Sequence, residues 1–188
     1  MRRGREQWRK THQERSARRL VFVDETGVNT RMSRLYGRSP RGERCVCAVP
    51  QGHWVSYTVV SALRPDRLCA VRVMAGSMNA KRFLDWVRHA LLPCLRRGDT
   101  VVCDNLSAHK SVAVRELIES HGCKLCFLPP YSPDLNPIEQ ANGKLKSDLR
   151  GEEAREHGAL VASVRKSARR LTPAMCRNFF SHAGYATT

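Results

Sequence analysis

Three short apolar runs constrain this chain most: LVFVDET at 20–26, TVVCDN at 100–105 and KLCFLPP at 124–130. None alternates cleanly with polar residues, so each is expected to lie buried as a strand inside a sheet. A segment of helical period, VAVRELIESHG, separates the last two and stops at Gly122. Strands in that order, joined by a helical crossover, are expected to run parallel.

Nearer the start, CVCAVP, HWVSYTVVSAL and LCAVRVMAG follow the first run through short turns, which predicts an antiparallel meander. NAKRFLDWVRHALLPCL then places Phe83, Trp86, Val87, Ala90 and Leu91 on one helical stripe, with Asn79 as its cap. PIEQANGKLKSDLR and GALVASVRKSARRL read as further helices, and Thr172-Pro173 opens a last short one. The expected fold is α/β: a mixed sheet, an antiparallel meander continued by parallel strands, flanked by helices. At 188 residues one domain suffices, spanning residues 20–188, with residues 1–19 as a basic helical arm or linker.

The formal net charge of +16 points to a polyanionic partner, because each phosphate neutralised by Lys or Arg releases condensed counterions. A membrane surface is the competing polyanion, but no long helix joins a basic face to a strongly apolar one. Nor is there a run of about 18 apolar residues. The first nineteen residues lack the apolar centre of a signal peptide. Nucleic acid in the cytoplasm, at the nucleoid, is the expectation. Eight cysteines invite a disulfide or zinc reading. A chain of this size needs no staples, and Cys123 and Cys126 have no second pair at finger spacing. Most are expected to be reduced, small core residues.

Two carboxylates close apolar runs: Asp24 in VFVDET and Asp104 in VVCDN. Acids leaving the core at the C-terminal edge of neighbouring parallel strands would stand about 5 Å apart, close enough to repel. A cation between them removes the repulsion. Glu139 is mounted differently. It follows LPPYSPDLNPI, in which Asn136 suits a helix cap and Pro137 the first helical position. Each acid has a plainer explanation by itself. Asn136 and Glu139 fit a capping box, and Asp24 and Asp104 suit turns, as do Glu25, Asp99 and Asp134. Taken together, two strand-end acids, a rigidly held third and a cationic surface fit Mg²⁺ or Mn²⁺. A pair of such ions supports phosphoryl displacement.

DETG at 24–27, CDNLSAHK at 103–110 and LPPYSPDLNPIEQ at 128–140 resemble the DDE transposases of bacterial insertion sequences related to the mariner elements. Thirty-four residues separate Asp104 from Glu139, the spacing of that group. The resemblance extends over roughly residues 20–185. It implies an RNase H-like fold and a metal triad of Asp24, Asp104 and Glu139 holding Mg²⁺ or Mn²⁺, two ions in all. It also implies a homodimer acting on double-stranded DNA, both transposon ends and target, by phosphodiester hydrolysis and strand transfer. Asn105, His109 and Lys110 fall in the second motif, with a supporting or helix-entry role. Two departures are visible. Relatives carry a helix-turn-helix region before the catalytic half, which here would be separately encoded. Relatives also place a large aromatic where this chain has Asn142, followed by Gly143. That predicts a loosened helix, which Asn142→Phe would stabilise. The alternatives are an RNase H-like nuclease without strand transfer and a catalytically inactive, basic DNA-binding remnant.

Overall fold

The computed structural model describes residues 2–13 and 17–187, so parts of the arm expected over residues 1–19, residues 1 and 14–16, lie outside the described residues. Five strands form one sheet in the order β3-β2-β1-β4-β5. They are β1 (Leu20–Asn29), β2 (Ser56–Arg64), β3 (Arg67–Ala75), β4 (Thr100–Cys103) and β5 (Lys124–Phe127). β1, β2 and β3 make the antiparallel meander. β4 and β5 continue it in parallel from β1.

Both faces of the central strands are covered, as their unbroken apolar runs require. Alternate side chains of β1 enter different clusters. Val21 and Val23 join Val101 and Cys103 against Phe83, Trp86, Val114 and Ile118. Leu20 and Phe22 join Val102 against Ile138, Phe180 and Tyr185. Two helices, α2 (Ala80–Trp86) and α3 (Val112–Ser120), form the first layer. A π-helical stretch extends α2 through Leu91, and Asn79 Oδ1 caps it by accepting from the Arg82 N–H at 2.9 Å. α4 (Ile138–Glu152), α5 (His157–Arg170) and α6 (Pro173–His182) form the other layer. Thr172 caps α6, as its Thr-Pro start predicts.

α1 (Arg2–Trp8) begins the basic arm. Trp8 is buried in the second cluster, and its indole N–H donates to the Tyr185 hydroxyl at 2.8 Å. That hydroxyl donates in turn to the Leu135 carbonyl at 2.7 Å. Arg5 grips the same turn through Ser132 and Asp134. The arm thus braces the segment that leads into α4.

Two expectations fail. CVCAVP forms no strand. Both edges of β2 are taken by β1 and β3, and Pro40, Pro50 and the left-handed glycines Gly42 and Gly52 break the approach to it. Most of the β1–β2 connection is exposed, with Val46 at 85% and Tyr36 at 90%. The cysteines are less uniformly internal than expected. All eight are free, but only Cys103, Cys123 and Cys176 are fully buried, and Cys45 and Cys47 lie exposed in that connection.

Candidate active site

Asp24 does not end its strand. β1 runs five residues past it, still paired to β2. Only the parallel side stops short: pairing of β1 with β4 ends at Phe22 opposite Val102. Carrying that register two residues further brings Asp24 level with Asp104, which does follow the last residue of β4. The carboxylates therefore flank the point where β4 leaves the sheet.

Glu139 reaches the same place from the other side. Asp24, Asp104 and Glu139 line one cleft of about 410 Å³, with the Leu128–Pro133 turn and Asn136. The capping box suggested by the sequence is not formed. Pro137 is the residue before α4, without a side-chain cap, and Asn136 is buried with its Oδ1 unpartnered. Glu139 is exposed to the cleft, and its backbone N–H bonds to the Asn136 carbonyl at 3.2 Å. The turn before it is stiff: Leu135 N–H donates to the Ser132 carbonyl, Asn136 N–H to the Pro133 carbonyl, and Tyr131 holds a left-handed φ of 54°.

The electrostatics differ from acid to acid. Burial pushes the Asp24 carboxyl up to about 7, and the charge of Glu139, then those of Glu25 and Asp104, push the same way. Burial also acts on Asp104, but there the contact with His109 and the Leu106 N–H more than offset it, so its carboxyl sits below the usual range. His109 is fully buried. Its Nε2 lies 2.8 Å from Glu25 Oε1. Its Nδ1 lies 2.7 Å from Asp104 Oδ1, near enough for an ion pair but without hydrogen-bond alignment. Desolvation disfavours the imidazolium, yet the two carboxylates win and raise His109 to about 9. A protonated His109 therefore ties the carboxylate beside Asp24 to Asp104 itself. Sequence reasoning gave Glu25 to a turn and His109 a support role. Period-2 geometry was the available signal for Glu25: it points to the face opposite Asp24, under α2 and the 107–110 turn. Asn105 closes the rear of the site by donating to the Leu128 carbonyl, joining the ends of β4 and β5.

Asn142 is the larger correction. It is no eroded core anchor: it is 5% exposed and its Nδ2 donates to Asp24 Oδ2 at 3.0 Å. The ground for expecting Asn142→Phe to stabilise the helix disappears, because a phenyl ring there would leave Asp24 without that donor.

The oxygen donor set, three carboxylates on one cleft with one of them driven toward neutrality, is the chemistry that Mg²⁺ or Mn²⁺ takes. Among the described residues no three His, Cys, Asp or Glu side chains are already drawn together in a metal-binding cluster.

A mixed sheet of this order, with acids at the divergence of its two central parallel strands, is the RNase H-like architecture. Residues 19–160 match the family model of the DDE superfamily endonucleases, and the chain belongs to that family. Among solved structures it is similar to the Mos1 strand transfer complex, at 16% identity and a TM-score of 0.66, over 89% of this chain and 52% of that one. It is also similar to the Mos1 transposase paired-end complex with left transposon end (13%, 0.67, over 95% and 55%). A third similarity is to the Mos1 transposase catalytic domain with Raltegravir and Mg (14%, 0.65, over 95% and 83%). The chain spans about half the length of the first two. No curated protein matches it.

Proposed function

We propose that this chain is the catalytic domain of a DNA transposase, with Asp24, Asp104 and Glu139 as its metal-binding triad. The observation that supports this most is the convergence of three acids, from β1, β4 and α4, on one cleft. Two divalent ions, once bound there, would lower the barrier to phosphoryl displacement by activating the attacking oxygen and stabilising the leaving one. The protein's own residues hold and orient. His109 fixes Asp104 against Glu25, Asn105 locks the β4 and β5 ends, and the proline-rich turn sets where Glu139 enters. In hydrolysis a water oxygen bonds to phosphorus and the P–O3′ bond breaks, leaving a 5′-phosphate and a free 3′-OH. In strand transfer that 3′ oxygen bonds to a target phosphorus and the target's own 3′ oxygen leaves.

The cationic surface suits the substrate. Lys146 and Arg150, on the face of α4 that begins at Glu139, line a groove of about 410 Å³ with Arg31 and Trp54 and no carboxylate. Tyr131, 88% exposed, stands at the rim of the acid cleft, where a base can stack. Mos1 structures include transposon-end and strand-transfer complexes, and crystals with Mn or Mg. For this chain, duplex DNA, a homodimer upon it and a separately encoded helix-turn-helix half are parts of the proposal.

The test is incubation with end-mimicking or nicked duplex DNA and Mn²⁺, beside Asp104→Ala. Cleavage that needs metal and vanishes in the variant is expected, and joined products separate a transposase from a nuclease that only cuts. Equal, metal-indifferent DNA retention by both proteins without cutting would leave a DNA-binding remnant.

A further inference from the structure

Asn142 stands one helical turn after Glu139 on α4, about 5 Å further along the axis. Its amide is the only side chain among the described residues that donates to Asp24, at 3.0 Å on Oδ2. Both partners are buried, Asn142 at 5% exposure and Asp24 at 8%. A donor of this type does something specific. A lysine or arginine in its place would neutralise Asp24 and compete with any cation. An apolar residue would strand the carboxylate in the core. A neutral amide fixes one oxygen and stops rotation of the carboxylate without adding a positive charge that would compete with a cation. The bond also crosses between elements, from α4 to β1, so it sets the position of Glu139 relative to Asp24.

We propose that Asn142 is a positioning residue, one that orients the Asp24 carboxylate for a divalent cation and holds α4 in register with β1 at the acid cleft. The proposal rests on the assignment of Asp24 as a metal ligand made above. Partners of this kind, which orient a ligand without touching the metal, typically contribute about 10–100-fold to metal affinity or activity.

The test titrates Mn²⁺ alone into the full chain, followed by electron paramagnetic resonance, for wild type, Asn142→Leu, Asn142→Gln and Asp24→Ala. Melting curves establish that each is folded. Asn142→Leu keeps the shape and removes the donor; its Mn²⁺ dissociation constant is expected to rise about 10–100-fold. Asn142→Gln restores an amide and is expected to recover part of that loss. With DNA as substrate, Asn142→Leu should lower kcat and leave KM near wild type, since Asn142 does not line the cationic groove of Lys146 and Arg150. Should the leucine variant fail to fold, Asn142→Ala and Asn142→Ser repeat the comparison without and with a donor. Wild-type Mn²⁺ affinity in folded Asn142→Leu overturns the inference, and so does an equal loss in the leucine and glutamine variants. Asp24→Ala separates the two levels. If it loses Mn²⁺ while Asn142→Leu does not, only the role of Asn142 falls. If it binds as wild type does, the assignment of Asp24 falls, and this inference with it.

Discussion

Single residues show where polar chemistry has been taken inside and what it does there. Arg64 and Asp99 are the clearest pair away from the cleft: 1% and 0% exposed, with Arg64 Nη1 2.5 Å from Asp99 Oδ2. Asp99 also accepts from the Arg96 N–H at 2.8 Å, which closes the turn before β4. Its place after a glycine reads as a plain turn residue, because a sequence does not show that β2 will deliver an arginine from 35 residues away. Asp99→Ala leaves a buried guanidinium with a 3.4 Å bond to the Cys94 carbonyl and a distant contact to Asp66, 3.8 Å from its Nε. The expected loss is about 3–5 kcal/mol of unfolding free energy, the range for breaking one side of a buried ion pair. Urea denaturation measures it, and a change under about 1 kcal/mol would mean that Arg64 relaxes to water. The same limit on sequence reading applies at the cleft. The acids Asp24, Asp104 and Glu139 are visible because they end apolar runs or open a helix. Of their holders, His109 has a supporting role by its place in the second motif, but the roles of Asn142 and Glu25 depend on which strand neighbours which.

At the scale of elements, periodicity and punctuation foretold most of the helices. Asn79 and Thr172 cap where the sequence places them, and Gly122 ends α3 with a left-handed φ of 74°. What failed, failed for tertiary reasons. CVCAVP has strand composition, but a strand needs a free edge as well as apolar residues. α4 is where local preference and position conflict. It buries Ile138, Ala141, Asn142, Leu145 and Leu149 on one side, yet carries Gly143 in its interior, on the exposed side. A Cβ built at Gly143 meets nothing within 4 Å, and its backbone is not left-handed. Gly143→Ala is therefore expected to raise stability by about 0.5–1 kcal/mol, from backbone entropy alone. Thermal unfolding checks this. A lower melting temperature would show that α4 draws on a flexibility that alanine removes.

At the scale of the whole molecule, the sheet order explains why distant acids meet. β1 lies at the centre, with the meander on one side and the parallel strands on the other, so the gap where β1 and β4 part falls beside Asp24 and Asp104. α4 then crosses the β1 face and brings Glu139 to that gap. Around this acidic point the molecule carries a net +16. On the proposed function the two fields would divide the work: cations would hold phosphates over a wide surface, and the acids would act at one of them. It follows that binding and chemistry should separate under salt. If about 6–10 phosphates are contacted, DNA affinity is expected to fall roughly 10³–10⁵-fold between 50 and 200 mM salt. Asp104→Ala should follow the same slope, since it removes no cation. Fluorescence anisotropy with a labelled duplex measures both. A flat response in the wild-type chain would mean that its positive charge is not what holds the DNA, and a shallower slope in Asp104→Ala would place that acid in the binding surface rather than in the reaction.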